Sequence, residues 1–375
     1  MLEQVFTAYF DARKKKRNKK SQLAFELELE SNLMRLYEQI KDRTYTPGKA
    51  KCFLVFHPVK REIFASLFVD RVVQHLLYNY LAPVFERIFI EDSYSCRKGR
   101  GTLFGIERLQ HHIRSCTDNF RRQAWVLKLD VRGYFMSINR EILYRLVMKT
   151  LNNYWERAGP QKQSIDKDTV LFLLRTIIFR NPAANCEVCG NRSEWDDLPP
   201  SKSLLKSPPG VGLPIGDLTS QLFSNIYLHQ LDVYMKCTMR CRHYGRYVDD
   251  FYVVHRSKTF LKQLIPKVCT FLRKELGLTV HPNKVFLQDV RQGISFLGAF
   301  IKPYRRYAAI RGVKYFRERM YRIGREARAM PFSKERRLEV RATVNSYLGY
   351  LGKFKSRKIV DRVMGKYEYV FDMFE

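Results

Sequence analysis

The sequence predicts an α+β fold, an antiparallel sheet backed by helices, and three observations predict it. Short apolar runs broken by turn residues recur as candidate strands and hairpins, KCFLVFHP with REIFASLF and then HYGRYVDDFYVVH. Longer segments with apolar residues at helical spacing lie between and after them, TFLKQLIPKVCTFLRKEL among them. The chain has 375 residues, 45% of them hydrophobic and 14% aromatic, so it can fill a sizeable core and is not disordered.

Taken in order, residues 11–20 (DARKKKRNKK) hold seven basic side chains and one acid and read as a solvated, mobile arm, with nucleic-acid contact as the alternative. A helix is predicted over residues 23–40, where Leu29, Leu33, Leu36 and Tyr37 recur at near-helical spacing before the turn TYTPGK. The first hairpin turns through Pro58, Val59 and Lys60 and has basic residues near its tip. Helix is expected again from Asp70 to about Ile90. In QAWVLKLDVRGYF an apolar run ends at Asp130, a buried strand running into a turn, and a long helical region follows from about Arg140 to Arg180.

Residues 181–211, with two Cys and five Pro, read as an irregular surface insertion. DLTSQLFSNIYLHQLDVYMK is a helix with Asp217 as its cap. Asp249 and Asp250 then sit at a tight turn between two apolar strands. After the helix of residues 259–276 come the strands VFLQ and ISFLGAFIKP. A basic helical bundle closes the chain, with Val340, Val344, Tyr347, Leu348 and Leu351 as a stripe.

Charge narrows the partners. Lys and Arg number 68 against 37 acids, a formal +31, which self-repels unless a polyanion is near. Nucleic acid is the first candidate and an anionic membrane surface the second. From Lys302 onward 20 basic residues face 8 acids, so +12 of the excess is there. Membrane spanning is not expected, because Asp70, Arg71 and Arg175 break the longest apolar stretches below the roughly 20 residues a span needs. The N-terminal charges follow the apolar residues, the reverse of a secretory signal, and eight scattered cysteines fit a reducing cytoplasm.

Asp130 ends a buried strand, and Asp249 and Asp250 share a turn between strands. Like charges at one turn repel, so stability does not account for them. Carboxylates from neighbouring strands can hold two Mg²⁺ ions about 4 Å apart, which activates a hydroxyl and stabilises a leaving pyrophosphate.

Tyr247-Val248-Asp249-Asp250 resembles the Y-x-D-D box of reverse transcriptases. LKLDVRGYFMSI, GLPIGDLTSQLFSNIYL, HPNKVF and ISFLGAFI resemble the family's other palm motifs, in the family's order, over roughly residues 40–300. Ile215–Gln221 (IGDLTSQ) is similar to the I-G-x-x-x-S-Q form of diversity-generating retroelement reverse transcriptases. A Y-x-P-G turn, DRVVQHLLYNYLAPVFE and DSYSCRKGRGT match their N-terminal layout. No H-N-H-type nuclease and no V-T-G thumb signature are read, which weighs against a group II intron or retron enzyme.

The resemblance implies a right-hand polymerase: fingers in 1–125 with the basic arm, palm in 126–139 and 212–300, a helical insertion in 140–211 and a thumb in 301–375. It implies two Mg²⁺ bridged by Asp130 and Asp249, with Asp250 as third carboxylate and the Val131 carbonyl as a further ligand. Phe135 would exclude a 2′-hydroxyl, Arg61 grip the triphosphate, and Lys284 protonate pyrophosphate. Phe296-Leu297-Gly298 would lie against the primer end. Gly216 would let the backbone approach the base pair, and Ile215, in place of a usual glutamine, would only pack beneath it.

The implied function is RNA-templated DNA synthesis, copying a template-repeat RNA into adenine-mutagenised cDNA. Its partners would be template RNA, cDNA or primer, dNTPs and a small basic helical accessory protein, in a bacterial or phage-encoded cytoplasmic setting. A defence-associated or group II-like reverse transcriptase is the alternative, and a catalytically inactive RNA-binding protein on a polymerase scaffold is the rival of another class. Cys186-x-x-Cys189-Gly resembles half a zinc ribbon, but Cys237, Cys241 and His243 stand at the wrong spacing for the other half. Free thiols are expected there, not structural zinc.

Overall fold

The computed structural model describes residues 1–14, 19–57, 59–158 and 165–372. The chain opens with α1 (Leu2–Arg13), α2 (Lys20–Glu26), α3 (Leu29–Lys41) and the hairpin β1 (Ala50–Val55) and β2 (Arg61–Ala65). Next come α4 (Phe68–Glu86), α5 (Thr102–Cys116), β3 (Trp125–Asp130), α6 (Tyr134–Ser137), α7 (Arg140–Ala158) and α8 (Lys167–Ile178). β4 (Cys186–Val188) and α9 (Leu218–Val233) lead into β5 (His243–Tyr247), β6 (Asp250–His255) and α10 (Lys258–Leu276). The rest is β7 (Phe286–Asp289), β8 (Ile294–Phe296), β9 (Ala299–Lys302), β10 (Arg305–Ala308), α11 (Ile310–Ala329), α12 (Lys334–Leu351), α13 (Arg357–Lys366) and α14 (Tyr369–Asp372).

The fold is α+β around an antiparallel sheet of order β5-β6-β3-β7. Its central strands β3 and β6 read as nearly unbroken apolar runs because both faces are covered. Period-2 alternation sends Leu127, Leu129, Phe251 and Val253 into one core and Val126, Tyr252 and Val254 into the other. The first core is filled from α1, α3, α4, α7, α8, α9 and α10. The second takes α5, the small sheet β10-β9-β8 and the C-terminal helices, including the expected Val340, Val344 and Leu351. α10 has an exact start and stop: the Ser257 hydroxyl accepts from the Phe260 amide at 3.1 Å, and Gly277 ends it in the left-handed region.

Several expectations need correction. Residues 11–13 are not part of a mobile arm, since α1 runs through Arg13 and buries Val5, Ala8, Tyr9 and Ala12; residues 15–18 lie outside the described set. The helix of residues 23–40 is two helices, α2 and α3, broken at Leu27 and Glu28. Pro58 of the hairpin turn and residues 159–164 of the long helical region are also outside the described residues. The stretch after Lys302 first completes a hairpin, β9 with β10, before turning helical.

Residues 181–211 are not a surface insertion. β4 adds to the hairpin as a third strand, parallel to β1, and Trp195, Leu198 and Leu204 are buried with Cys52, Phe64 and Met136. Glu62 of β2, wholly buried, accepts from Trp195 Nε1 (2.8 Å), the Ser203 hydroxyl (2.7 Å) and the Leu204 amide (2.6 Å). A buried carboxylate satisfied this fully anchors a segment that has few apolar residues of its own.

Candidate active site

Register alone gathers the acidic residues. Asp130 ends β3, its cross-strand partner Asp250 begins β6, and Asp249 lies in the turn from β5. Val248, beside it, has φ +55, a left-handed conformation that costs a β-branched residue.

Something must hold that turn, and Arg246 does. Its guanidinium is fully buried and makes a two-pronged ion pair with Asp232 of α9, Nε to Oδ1 at 2.7 Å and Nη2 to Oδ2 at 2.6 Å. Its Nη1 donates to the Val248 carbonyl at 2.9 Å, and Nη2 also donates to the Ser93 hydroxyl at 3.1 Å. The Val248 amide donates to the Ser95 hydroxyl at 3.2 Å, and Ser95 in turn meets Asn225 of α9. Both backbone groups of the strained residue are therefore fixed from behind by buried side chains.

In front, charge is left over. Burial and the Asp130 charge push the Asp249 carboxyl up to about 7. Burial also raises Asp250, against the pull of Lys128. Lys284 Nζ donates to Asp130 Oδ2 at 2.9 Å, and Lys128 Nζ stands 3.4 Å from Asp250 Oδ2 while donating to the Ser295 carbonyl at 2.9 Å. Two ammonium groups thus serve three carboxylates. Among the described residues, no three His, Cys, Asp or Glu side chains converge as a ready-made metal cluster.

The other expected residues divide. Val131 is buried and bridges Val280 through the Arg132 amide on the Thr279 carbonyl and the His281 amide on the Asp130 carbonyl, both 2.8 Å; neither bond uses the Val131 carbonyl. Phe135 on α6 and Ile215 pack against the same small core under the hairpin, and the Phe64 amide donates to the Ile215 carbonyl at 2.8 Å. Gly216 has φ +133, and a Cβ there would run into the Phe64 carbonyl oxygen, so glycine is required. Arg61 stands exposed at the start of β2, opposite Val55, and among the described residues no bond ties it to the carboxylates. Phe296 is core, edge-on to Tyr252, while Leu297 and Gly298 make a positive-φ turn.

Asp217 is not a side-chain cap. Its buried carboxylate accepts from the Ser66 hydroxyl at 2.6 Å, and Gln74 Oε1 takes the Leu218 amide instead. Cys186 and Cys189 flank β4 beside Cys52, whose thiol burial pushes up; Glu62 and Cys186 add to that rise.

Sequence reasoning missed Lys128, Arg246, Asp232 and Asn225. Lys128 was findable, because it shares a strand face with Asp130 two residues on. Asn225 and Asp232 are polar positions on an otherwise apolar helix, the visible trace of a buried partner.

Acidic strand ends joined by a braced turn thus bring Asp130, Asp249 and Asp250 together at one end of the sheet. Residues 200–301 match the family model described as reverse transcriptase (RNA-dependent DNA polymerase), a stretch that spans Ile215–Gln221, α9, the β5–β6 turn and β7 to β9. That stretch is thus similar to the reverse transcriptase family, whose description names an RNA-dependent DNA polymerase.

Among curated proteins it is similar to an uncharacterised 91 kDa protein in a cob intron of Schizosaccharomyces pombe, 24% identical over 68% of this chain and 34% of that protein. It is also similar to Protein YkfC of Escherichia coli, 23% identical over 65% of this chain and 64% of that one. The chain thus spans about a third of the first relative and under two thirds of the second. Among solved structures it is similar to telomerase from Candida albicans in complex with a telomeric RNA fragment, 13% identical, with a TM-score of 0.49 over 78% of this chain and 54% of that one. Apo telomerase from Candida tropicalis gives 15% identity and a TM-score of 0.48 over 71% and 57%. No helix among the described residues is long and apolar enough to cross a membrane.

Proposed function

We propose that the chain is an RNA-directed DNA polymerase that works with two Mg²⁺ ions held by Asp130, Asp249 and Asp250, and that it copies a template-repeat RNA into adenine-mutagenised cDNA. The observation that carries the first half is the charge imbalance at the sheet end, where register pairs Asp130 with Asp250 and Asp249 is pushed up to about 7. An all-carboxylate donor set fits a hard, oxygen-seeking cation. When bound, the ions would activate a primer 3′-hydroxyl and stabilise charge on the departing pyrophosphate.

The chain's own residues supply the rest. Arg246 and Ser95 keep the turn in its strained geometry before any ligand arrives. Lys284, bonded to Asp130, would pass a proton to pyrophosphate. Phe135 presents bulk against a 2′-hydroxyl, Arg61 reaches the triphosphate from the hairpin, and the Val131 carbonyl, which accepts no bond among the described residues, adds a ligand. Residues 126–139 and 212–300 act as palm, 1–125 as fingers with the insertion 140–211, and 301–375 as a basic thumb on the duplex.

The mutagenic half is supported by Ile215, which packs into an apolar cluster and offers the forming base pair no hydrogen bond. A small basic helical accessory protein would act with the enzyme. An intron-borne, group II-like reverse transcriptase is the second reading, favoured by the likeness to a protein in a cob intron.

The test is primer extension on RNA with Mg²⁺, with and without a candidate accessory protein, followed by sequencing of the cDNA. Extension with errors concentrated opposite template adenine supports the whole proposal. Extension with even errors leaves the intron-type reading, and no extension on any primed RNA overturns both.

A further inference from the structure

Between α5 and β6 lies a closed ring of polar side chains, all four of them buried. His112 Nδ1 of α5 is 3.0 Å from the Tyr252 hydroxyl of β6, and that hydroxyl is 2.8 Å from the Tyr94 hydroxyl. Tyr94 donates to Asp92 Oδ1 at 3.1 Å, and His112 Nε2 returns toward Asp92 Oδ2 at 3.5 Å. Asp92 is also met by Arg108 Nε at 2.8 Å and Lys236 Nζ at 3.2 Å, while Arg108 Nη2 lies 3.5 Å from His112 Nε2. β5 crosses the two phenols at Gly245, where a Cβ would strike both hydroxyls.

Protons are one short of the contacts. Burial keeps both phenols protonated and holds the His112 ring below its usual range, against the pull of Asp92. Near neutral pH the four contacts therefore share three protons, one from each tyrosine and one from the imidazole. The contact left without one is the longest, His112 Nε2 to Asp92, whose carboxylate Arg108 and Lys236 already serve. That puts the imidazole proton on Nδ1 and runs the chain one way, from His112 to Tyr252 to Tyr94 to Asp92. Nε2 keeps its lone pair for Arg108.

Tyr252 carries this chain toward the acidic residues. It lies two residues from Asp250 along β6 and opposite Lys128 of β3. Its ring meets Phe296 edge-on at 5.2 Å, and the Lys128 ammonium rests over that Phe296 ring at 5.4 Å. The same ammonium stands 3.4 Å from Asp250 Oδ2. We infer that His112, in its Nδ1–H tautomer, is a positioning residue: by holding the Tyr252 hydroxyl it fixes the Phe296 ring and thereby the Lys128 ammonium beside Asp250. The effect on activity rests on the polymerase reading, and the proton assignment does not.

The first measurement is nitrogen NMR of the full chain with isotopically labelled histidine, the His112 signals being those lost in His112→Asn. Nδ1 should resonate as a protonated nitrogen and Nε2 as a bare one, and Tyr252→Phe should move the Nδ1 signal. A proton found on Nε2 instead overturns the inference.

The second is primer extension at a temperature where circular dichroism shows every variant folded. His112→Asn keeps an N–H donor near the place of Nδ1, while His112→Gln carries its amide out to the place of Nε2. Tyr252→Phe and His112→Gln should each lower kcat about tenfold, the worth of one hydrogen bond, with KM for primed RNA changed less than about twofold. Gly245→Ala, which pushes the phenols apart from outside the chain, should match Tyr252→Phe.

His112→Asn should keep most of the wild-type kcat, which separates donor placement from loss of the imidazole. Equal losses in the Asn and Gln variants, or a wild-type kcat in Tyr252→Phe, overturn the inference, for the ring would then serve the fold alone. Failure of the polymerase reading has a different signature: a wild type that extends no primer, with the His112 tautomer still decided by its spectrum.

Discussion

Two aspartates stand on opposite sides of the β5–β6 turn and are treated in opposite ways. Asp232, behind it, is fully buried and receives a two-pronged guanidinium together with the Tyr244 hydroxyl at 2.7 Å. Asp249, in front, has Asp130 and Asp250 for neighbours and a carboxyl held up at about 7. Asp232 is matched by a cation within the chain, whereas Asp249 sits among like charges. The same residue type is stabilised where its charge is matched and pushed toward protonation where it is not.

The largest expected effect breaks the front side. Asp249→Asn should cut RNA-templated extension about a thousandfold while the melting temperature holds or rises, since a charge crowded by like charges is removed. A fall in melting temperature would place Asp249 with Asp232 as scaffold. Next, Arg246→Met should destabilise the fold by about 3–5 kcal/mol in denaturant titrations, because it leaves Asp232 buried without its partner. Replacing both, Arg246→Met with Asp232→Leu, should recover most of that stability but little extension, for the Val248 carbonyl still lacks its donor.

A third buried carboxylate sharpens the contrast. Glu62 is matched by neutral donors and no cation, so Glu62→Gln should cost only about 1–3 kcal/mol, read as faster proteolysis within residues 186–204. Smallest is Ile215→Gln, which should lower errors opposite template adenine by several-fold, roughly 1 kcal/mol of discrimination, and change errors opposite other bases less. The per-base error spectrum on one RNA measures it.

The carboxylates, the β5–β6 turn and the helix α10 were legible because period-2 and period-3.6 patterns are local. The brace was not. Arg246 sits in a strand whose sequence neighbours say nothing of Asp232, Asn225 and Ser93, which reach it from α9 and from a distant loop. Residues 181–211 misled for a related reason. Their order comes from Glu62, over 130 residues away in sequence, and from pairing with β1, so a composition rich in Pro, Ser and Cys concealed a built sheet and core. Lys284 on Asp130 was expected at pyrophosphate from the resemblance, and its bond to a carboxylate could come only from the folded chain.

The parallel strand β4 changes how the first hairpin can move. A two-stranded hairpin alone is marginal in water and flexes along its length. Here β1 and β2 are joined to β4 on one flank and to Trp195, Ser203 and Leu204 beneath, so any displacement of the hairpin must carry residues 186–204 with it as a stiff paddle. The Phe64 amide on the Ile215 carbonyl pins the inner end of that paddle. Arg61 rides near the outer end, opposite Val55, so a small rotation at the pin becomes a larger sweep at the guanidinium. A shift at Ile215 is thereby magnified at the Arg61 guanidinium.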